Sequence, residues 1–255
     1  MKLGLRISDL RNMEIKEKID LAKECKLGAV ELSAAELIDH EETKKWKALA
    51  QDNGLKITTA GIGINLTDHE KRNEVRENLK KIIEGVHILG GIPLFSRTMI
   101  APEGISEQDI WKYTAEFTRE ITETCSKEKI PFAIEIDHSP CFVHSLERFE
   151  KLYNLVDHTN LKLNFDPTNL HVNGSDPFDS INKWGHLFIG GHIKDGIFRT
   201  EARKEVPLGD GEIDYPTILD RLAERGIDLT FHFEHLSTAE EVKDAVKRMN
   251  YILNK

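Results

Sequence analysis

The chain has little cysteine: three residues in 255, Cys25, Cys125 and Cys141, odd in number and widely spaced. That is no disulfide framework, and a reducing cytosol is the simplest setting. Long apolar runs are missing too. No stretch approaches the ~18 residues of a membrane span. The opening MKLGLRIS lacks the apolar centre of a signal peptide and reads as a strand. A cytoplasmic protein with no membrane partner is therefore expected. Positive charge is in deficit, with a formal net charge of −9, which argues against a nucleic-acid partner. No GxGxxG follows the first strand, which disfavours an open dinucleotide-binding sheet. Low-complexity segments and linkers are absent, so residues 1–255 read as one domain.

What is present is a repeat of about 30 residues, as βα units require. Short, mostly apolar strands are expected at 3–8, 29–33, 55–64, 92–100, 131–137, 161–166, 187–195 and 229–235. Between and after them, helices with apolar residues at three- and four-residue steps are expected at 14–26, 41–53, 68–89, 106–128, 146–156, 177–184, 215–225 and 238–253. The segment through VPLGDGEID to residue 214 reads as a polar loop. Eight strands alternating with eight helices predict an α/β fold, the (β/α)8 barrel.

In such a barrel the active site lies at the C-terminal ends of the strands. Strand five ends AIEID, six ends NFDP, seven carries GGHIKD and eight ends HFEH. These give Glu135, Asp166, His192 and Glu234, separated by 31, 26 and 42 residues. Taken singly, each also reads as a salt-bridged rim residue. Together, three carboxylates and an imidazole at one mouth would repel one another without a cation. The donor set suits one divalent ion: Mn²⁺, Mg²⁺, Co²⁺ or Zn²⁺.

The ordered set resembles the single-metal site of the xylose isomerase-like TIM barrels, the sugar phosphate isomerase/epimerase group. EIDHS, NFDPTNL, GHIKD, PLGDGEIDY and FEH carry the resemblance, which is specific from about residue 131 to 235 and weaker before. It implies proton transfer through an enediolate on a small sugar, sugar phosphate or hydroxy-keto acid. Glu135 and Glu234 would be both ligands and acid/base groups, while Asp166 and His192 would mainly hold the metal. His138, Asn169, Lys194, and Arg199 or Arg203, are candidate substrate contacts. The alternatives are a backbone-bonded loop histidine for His138, a rim ion pair with Asp195 for Lys194, and solvated loop charges for the arginines. A homodimer or homotetramer fits the group.

Rival readings share the fold. A dehydratase of an inosose or dehydroshikimate-like substrate would use the same ligands. A non-catalytic sugar-binding barrel would bind without turnover. An endonuclease IV-like nuclease needs further histidine and aspartate ligands, which TAGIGIN and LFSRTMI do not offer. Asn169 stands where relatives often carry histidine, and the nearest histidine is His171. Arg97 reads as either a substrate contact or a rim ion pair. The cysteines read as structural, Trp46, Trp111 and Trp184 as helix packing, and Phe95 and Phe142 as pocket walls. The glycines of GDGEID either bring backbone close to the pocket or simply make a turn.

Overall fold

A computed structural model describes residues 2–138, 140–198 and 204–254. Eight parallel strands close into a barrel: β1 (Lys2–Arg6), β2 (Ala29–Ser33), β3 (Lys56–Gly61), β4 (Leu94–Ser96), β5 (Phe132–Glu135), β6 (Leu161–Phe165), β7 (Phe188–Ile193) and β10 (Thr230–Phe233). Strand β1 pairs with β10 and with β2, which closes the ring. The expected (β/α)8 barrel is therefore the fold. Its helices are α1 (Ile15–Glu24), α3 (His40–Asp52), α4 (Arg72–Leu89), α5 (Glu107–Lys127), α6 (Leu146–Val156), α8 (Pro177–Trp184), α9 (Tyr215–Glu224) and α10 (Ala239–Leu253). Among the described residues no helix is long and apolar enough to cross a membrane.

The helical stripes read from the sequence are the buried ones. Leu79, Ile82, Ile83 and Val86 of α4 are buried, as are Trp46, Trp111 and Trp184. Burial of this apolar layer drives the closure, at roughly 25 cal/mol per Å² removed from water. Two short helices were not expected. Helix α2 (Ala34–Ile38) starts at a capping box in which Glu36 accepts from the Ser33 backbone N–H at 2.8 Å. That Ser-x-x-Glu is a legible start signal. Helix α4 passes so close to α2 that a Cβ on Gly85 would lie 2.2 Å from the Leu37 carbonyl oxygen. Helix α7 (Pro167–Val172) is the other, with Pro167 in its first turn, where the missing N–H costs nothing.

The fourth strand is much shorter than the 92–100 expected. Pro93 has no N–H for the ladder, and beyond Ser96 the chain turns, with Met99 at φ 61°. The polar loop after β7 is more ordered than expected. Within it β8 (Asp195–Ile197) pairs antiparallel with β9 (Lys204–Val206). The Asp195 carboxylate accepts backbone N–H bonds from Gly196, Gly209, Gly211 and Ile213 at 2.9–3.3 Å. A Cβ on Gly211 would sit 2.0 Å from Asp195 Oδ1. The GDGEID turn thus closes on Asp195, rather than bringing its backbone to the pocket.

Candidate functional site

Alternation along the strands decides which side chains enter the barrel. Glu135 is the last residue of β5, and His192 lies within β7. Asp166 and Glu234 follow the last residues of β6 and β10 directly. Two-residue spacing then places Asn164 with Asp166, Lys194 with His192, and His232 with Glu234. The four expected ligands converge: one donor atom from each lies within 4.8 Å of the others, and all four residues are buried. Asp166 also caps α7, accepting the Asn169 N–H at 2.9 Å, so the start of that helix fixes its carboxylate.

The cluster is compensated by cations from two strands, β1 and β7. The Lys194 ammonium donates to both Asp166 and Glu234. Arg6, from β1, donates to Glu234 Oε2 at 2.5 Å. His192 Nδ1 lies 3.3 Å from Glu135 Oε1 and 3.4 Å from Glu234 Oε2. Glu135 otherwise receives neutral donors, the side-chain amides of Asn164 and Asn169, both at 3.3 Å. Two charged residues in contact with the cluster were not expected from the sequence. Arg6 is one. Glu31 on β2 is the other, buried against His192 Nε2 at 2.9 Å and Thr59 Oγ1 at 2.8 Å.

Charge and burial act against each other here. Burial pushes Asp166 up to about 7, opposed by Lys194 and reinforced by Glu234 and Glu135. Burial also works against ionising Glu234, but His192, Lys194, His235 and Arg6 outweigh it and hold it well below the usual carboxylate range. Desolvation opposes the charges on His192 and Lys194, yet the surrounding carboxylates raise both well above their ordinary values. For His232 burial outweighs the opposing charge of Glu31 and lowers it to about 4.

A small cleft of about 90 Å³ opens above the cluster, lined among others by Arg6, Phe95, Arg97, His138, Asn169 and His235. His138 is therefore at the mouth, with Nδ1 2.7 Å from Asp137 Oδ1. Arg97 pairs with Asp137 Oδ2 at 2.7 Å. Asn169 lies deeper than a rim contact. Lys194 is not the rim partner of Asp195, because its ammonium turns inward to the carboxylates and Asp195 is taken up by the loop. Phe95 does wall the cleft, whereas Phe142 packs under Trp111, ring centroids 4.6 Å apart. His171 pairs with Glu212 at 3.0 Å, outside the cluster. Cys141 is buried beside Asp137, and desolvation pushes its thiol up to about 12, far from a nucleophilic thiolate. Arg199 and Arg203 lie outside the described residues.

Three carboxylates and one imidazole fit a divalent ion by donor type and by convergence. Comparison with known proteins agrees with this architecture. Inosose isomerase from Bacillus velezensis is 24% identical over 237 residues, spanning 88% of this chain and 81% of that protein. The probable 3-DHS dehydratase of Bacillus anthracis superposes with a TM-score of 0.83 at 20% identity, over 98% of this chain and 99% of that one. An IolI protein structure with a bound zinc atom does so with a TM-score of 0.83 at 20% identity, over 100% of this chain and 98% of that one. At such identity these two superpositions show the shared fold. The model of the xylose isomerase-like TIM barrel family matches residues 19–252, nearly the whole barrel described above, and the chain belongs to that family.

Proposed function

We propose that the protein is a metal-dependent isomerase or epimerase of a small sugar, sugar phosphate or hydroxy-keto acid. The observation that carries this reading is the convergence of Glu135, Asp166, His192 and Glu234 donors within 4.8 Å at the strand ends. Those four residues would hold one divalent ion. When bound, the ion would polarise the substrate carbonyl and its neighbouring hydroxyl.

The rest is work for side chains. Glu135 and Glu234 come from β5 and from the end of β10, and they would carry the proton to and from the substrate carbon through an enediolate. Their surroundings differ as an acid/base pair requires. Glu234 is held by two cations, Arg6 and Lys194, whereas Glu135 is held by two amides and the edge of His192. Asp166 and His192 would hold the ion without moving protons. His138 at the mouth and Lys194 below it would contact substrate hydroxyls, and Asn169 would steady Glu135. The small polar cleft supports a compact, hydroxyl-rich substrate.

The test is a panel of small sugars, sugar phosphates and inososes incubated with the metal-loaded protein in D₂O and followed by NMR. Deuterium should enter at the carbon next to the carbonyl, with a new isomer or epimer forming and no loss of water. An alkene or enone product would point to a dehydratase using the same ligands. Binding without exchange across the panel would favour a non-catalytic sugar-binding barrel.

A further inference from the structure

Glu31 is a carboxylate at the centre of the barrel, 1% exposed, in a layer where a barrel core ordinarily carries branched apolar side chains. An ionised carboxylate there is costly unless it is hydrogen-bonded. Its partners are specific. His192 Nε2 donates to Oε1 at 2.9 Å, and the Thr59 hydroxyl donates to Oε2 at 2.8 Å. Behind it stands His232, fully buried, with Nδ1 3.4 Å from Oε2 but out of hydrogen-bond alignment. The other nitrogen of His232 meets the Thr58 hydroxyl at 2.8 Å. Glu31 is thus fixed from one side by Thr59 and turned toward His192 on the other.

This contact settles which nitrogen of His192 is available. A carboxylate only accepts, so Nε2 must carry hydrogen. Nδ1 is then the atom left facing the Glu135 and Glu234 oxygens, at 3.3 and 3.4 Å. We infer that Glu31 is a positioning residue for the proposed metal centre: it holds His192 in the tautomer and ring orientation that present the Nδ1 lone pair to the ion. Such a partner keeps a ligating imidazole oriented and raises its basicity, and its loss typically weakens metal binding about 10–100-fold. Glu31 is not one of the four converging groups and does not line the cleft, so it would act only through His192. The inference rests on the metal-centre reading of the four converging groups.

The experiment is a zinc titration of the full-length protein against a competing chelator, for the parent, Glu31→Gln and Thr58→Val. Zinc affinity should fall about 10–100-fold in Glu31→Gln. It should be unchanged in Thr58→Val, which breaks a hydrogen bond in the same layer without touching His192. A second readout is the ¹⁵N spectrum of the histidine rings in the zinc-loaded parent, which should show His192 protonated at Nε2 and not at Nδ1. Equal affinity in the parent and Glu31→Gln would overturn the inference, as would an equal loss in Thr58→Val, since that would mean general loosening of the layer. His192 protonated at Nδ1 would overturn it too. A parent that binds no zinc removes the metal-centre reading itself, and the inference with it. Should Glu31→Gln fold poorly, the ring-nitrogen assignment in the parent still decides.

Discussion

Lys194 shows how one side chain balances the site. Its ammonium donates to Asp166 and Glu234, two of the four groups proposed to hold the ion. A monovalent and a divalent cation therefore compete for the same oxygens. Removing the ammonium should act in opposite directions on the metal-free and the metal-loaded protein. In Lys194→Met the buried carboxylates lose their counter-charge, which should cost the metal-free protein about 3 kcal/mol in denaturant unfolding. The same variant should bind metal more tightly in a chelator competition, and metal should restore much of the lost stability. Weaker metal binding in Lys194→Met would show that the lysine supports the site rather than competing within it. The four converging groups were legible because each stands at or near the end of an apolar strand, where a carboxylate or imidazole has no packing reason to be. Arg6 and Glu31 were not, because their partners lie 228 and 161 residues away and nothing local marks them. Lys194 was legible as a residue of interest, but its direction was not, since Asp195 beside it offered an equally simple partner.

At the scale of elements, the helices position the strands, and much of their fixing is local. Helices α4 and α5 are tied by Arg76, which donates to both oxygens of Glu120, at 2.5 and 2.8 Å. The hydrogen bonds from Arg76 lower Glu120 below its ordinary value of 4.5, so folding favours its ionised form. Its contribution to stability is thus present above about pH 4.5 and is lost as pH falls through the lowered folded value. The pair is 40% and 39% exposed, and solvent screening keeps its worth small. Glu120→Gln should therefore lower stability slightly at pH 7, and by nothing measurable once both proteins are acidified below about pH 3. A deficit that persisted in acid would assign the effect to packing instead of charge. Element ends followed rules that can be read in sequence, as with the predicted helix 146–156, which forms at Leu146–Val156. The β8–β9 hairpin could not be read that way. It depends on Asp195 collecting four backbone N–H groups, three of them from 14 to 18 residues further on.

For the whole molecule, eight short apolar strands close on themselves and leave their C-terminal ends as the place where polar side chains can gather. The barrel was readable because period and burial repeat eight times, so an error in one element did not change the count. What the ring encloses was only partly readable, because closure sets β1 beside β10 and lets side chains of β2 and β7 meet inside the ring, a neighbourhood that exists only after folding. On the proposed reading, this closure builds a one-metal site. Metal analysis of protein purified without chelator tests it directly, with Asp166→Ala analysed alongside. About one divalent ion per chain is expected, as a mononuclear site implies, with its loss in the variant together with a lower melting temperature. No bound divalent ion in the parent, or the same stoichiometry and melting temperature in Asp166→Ala, would contradict it.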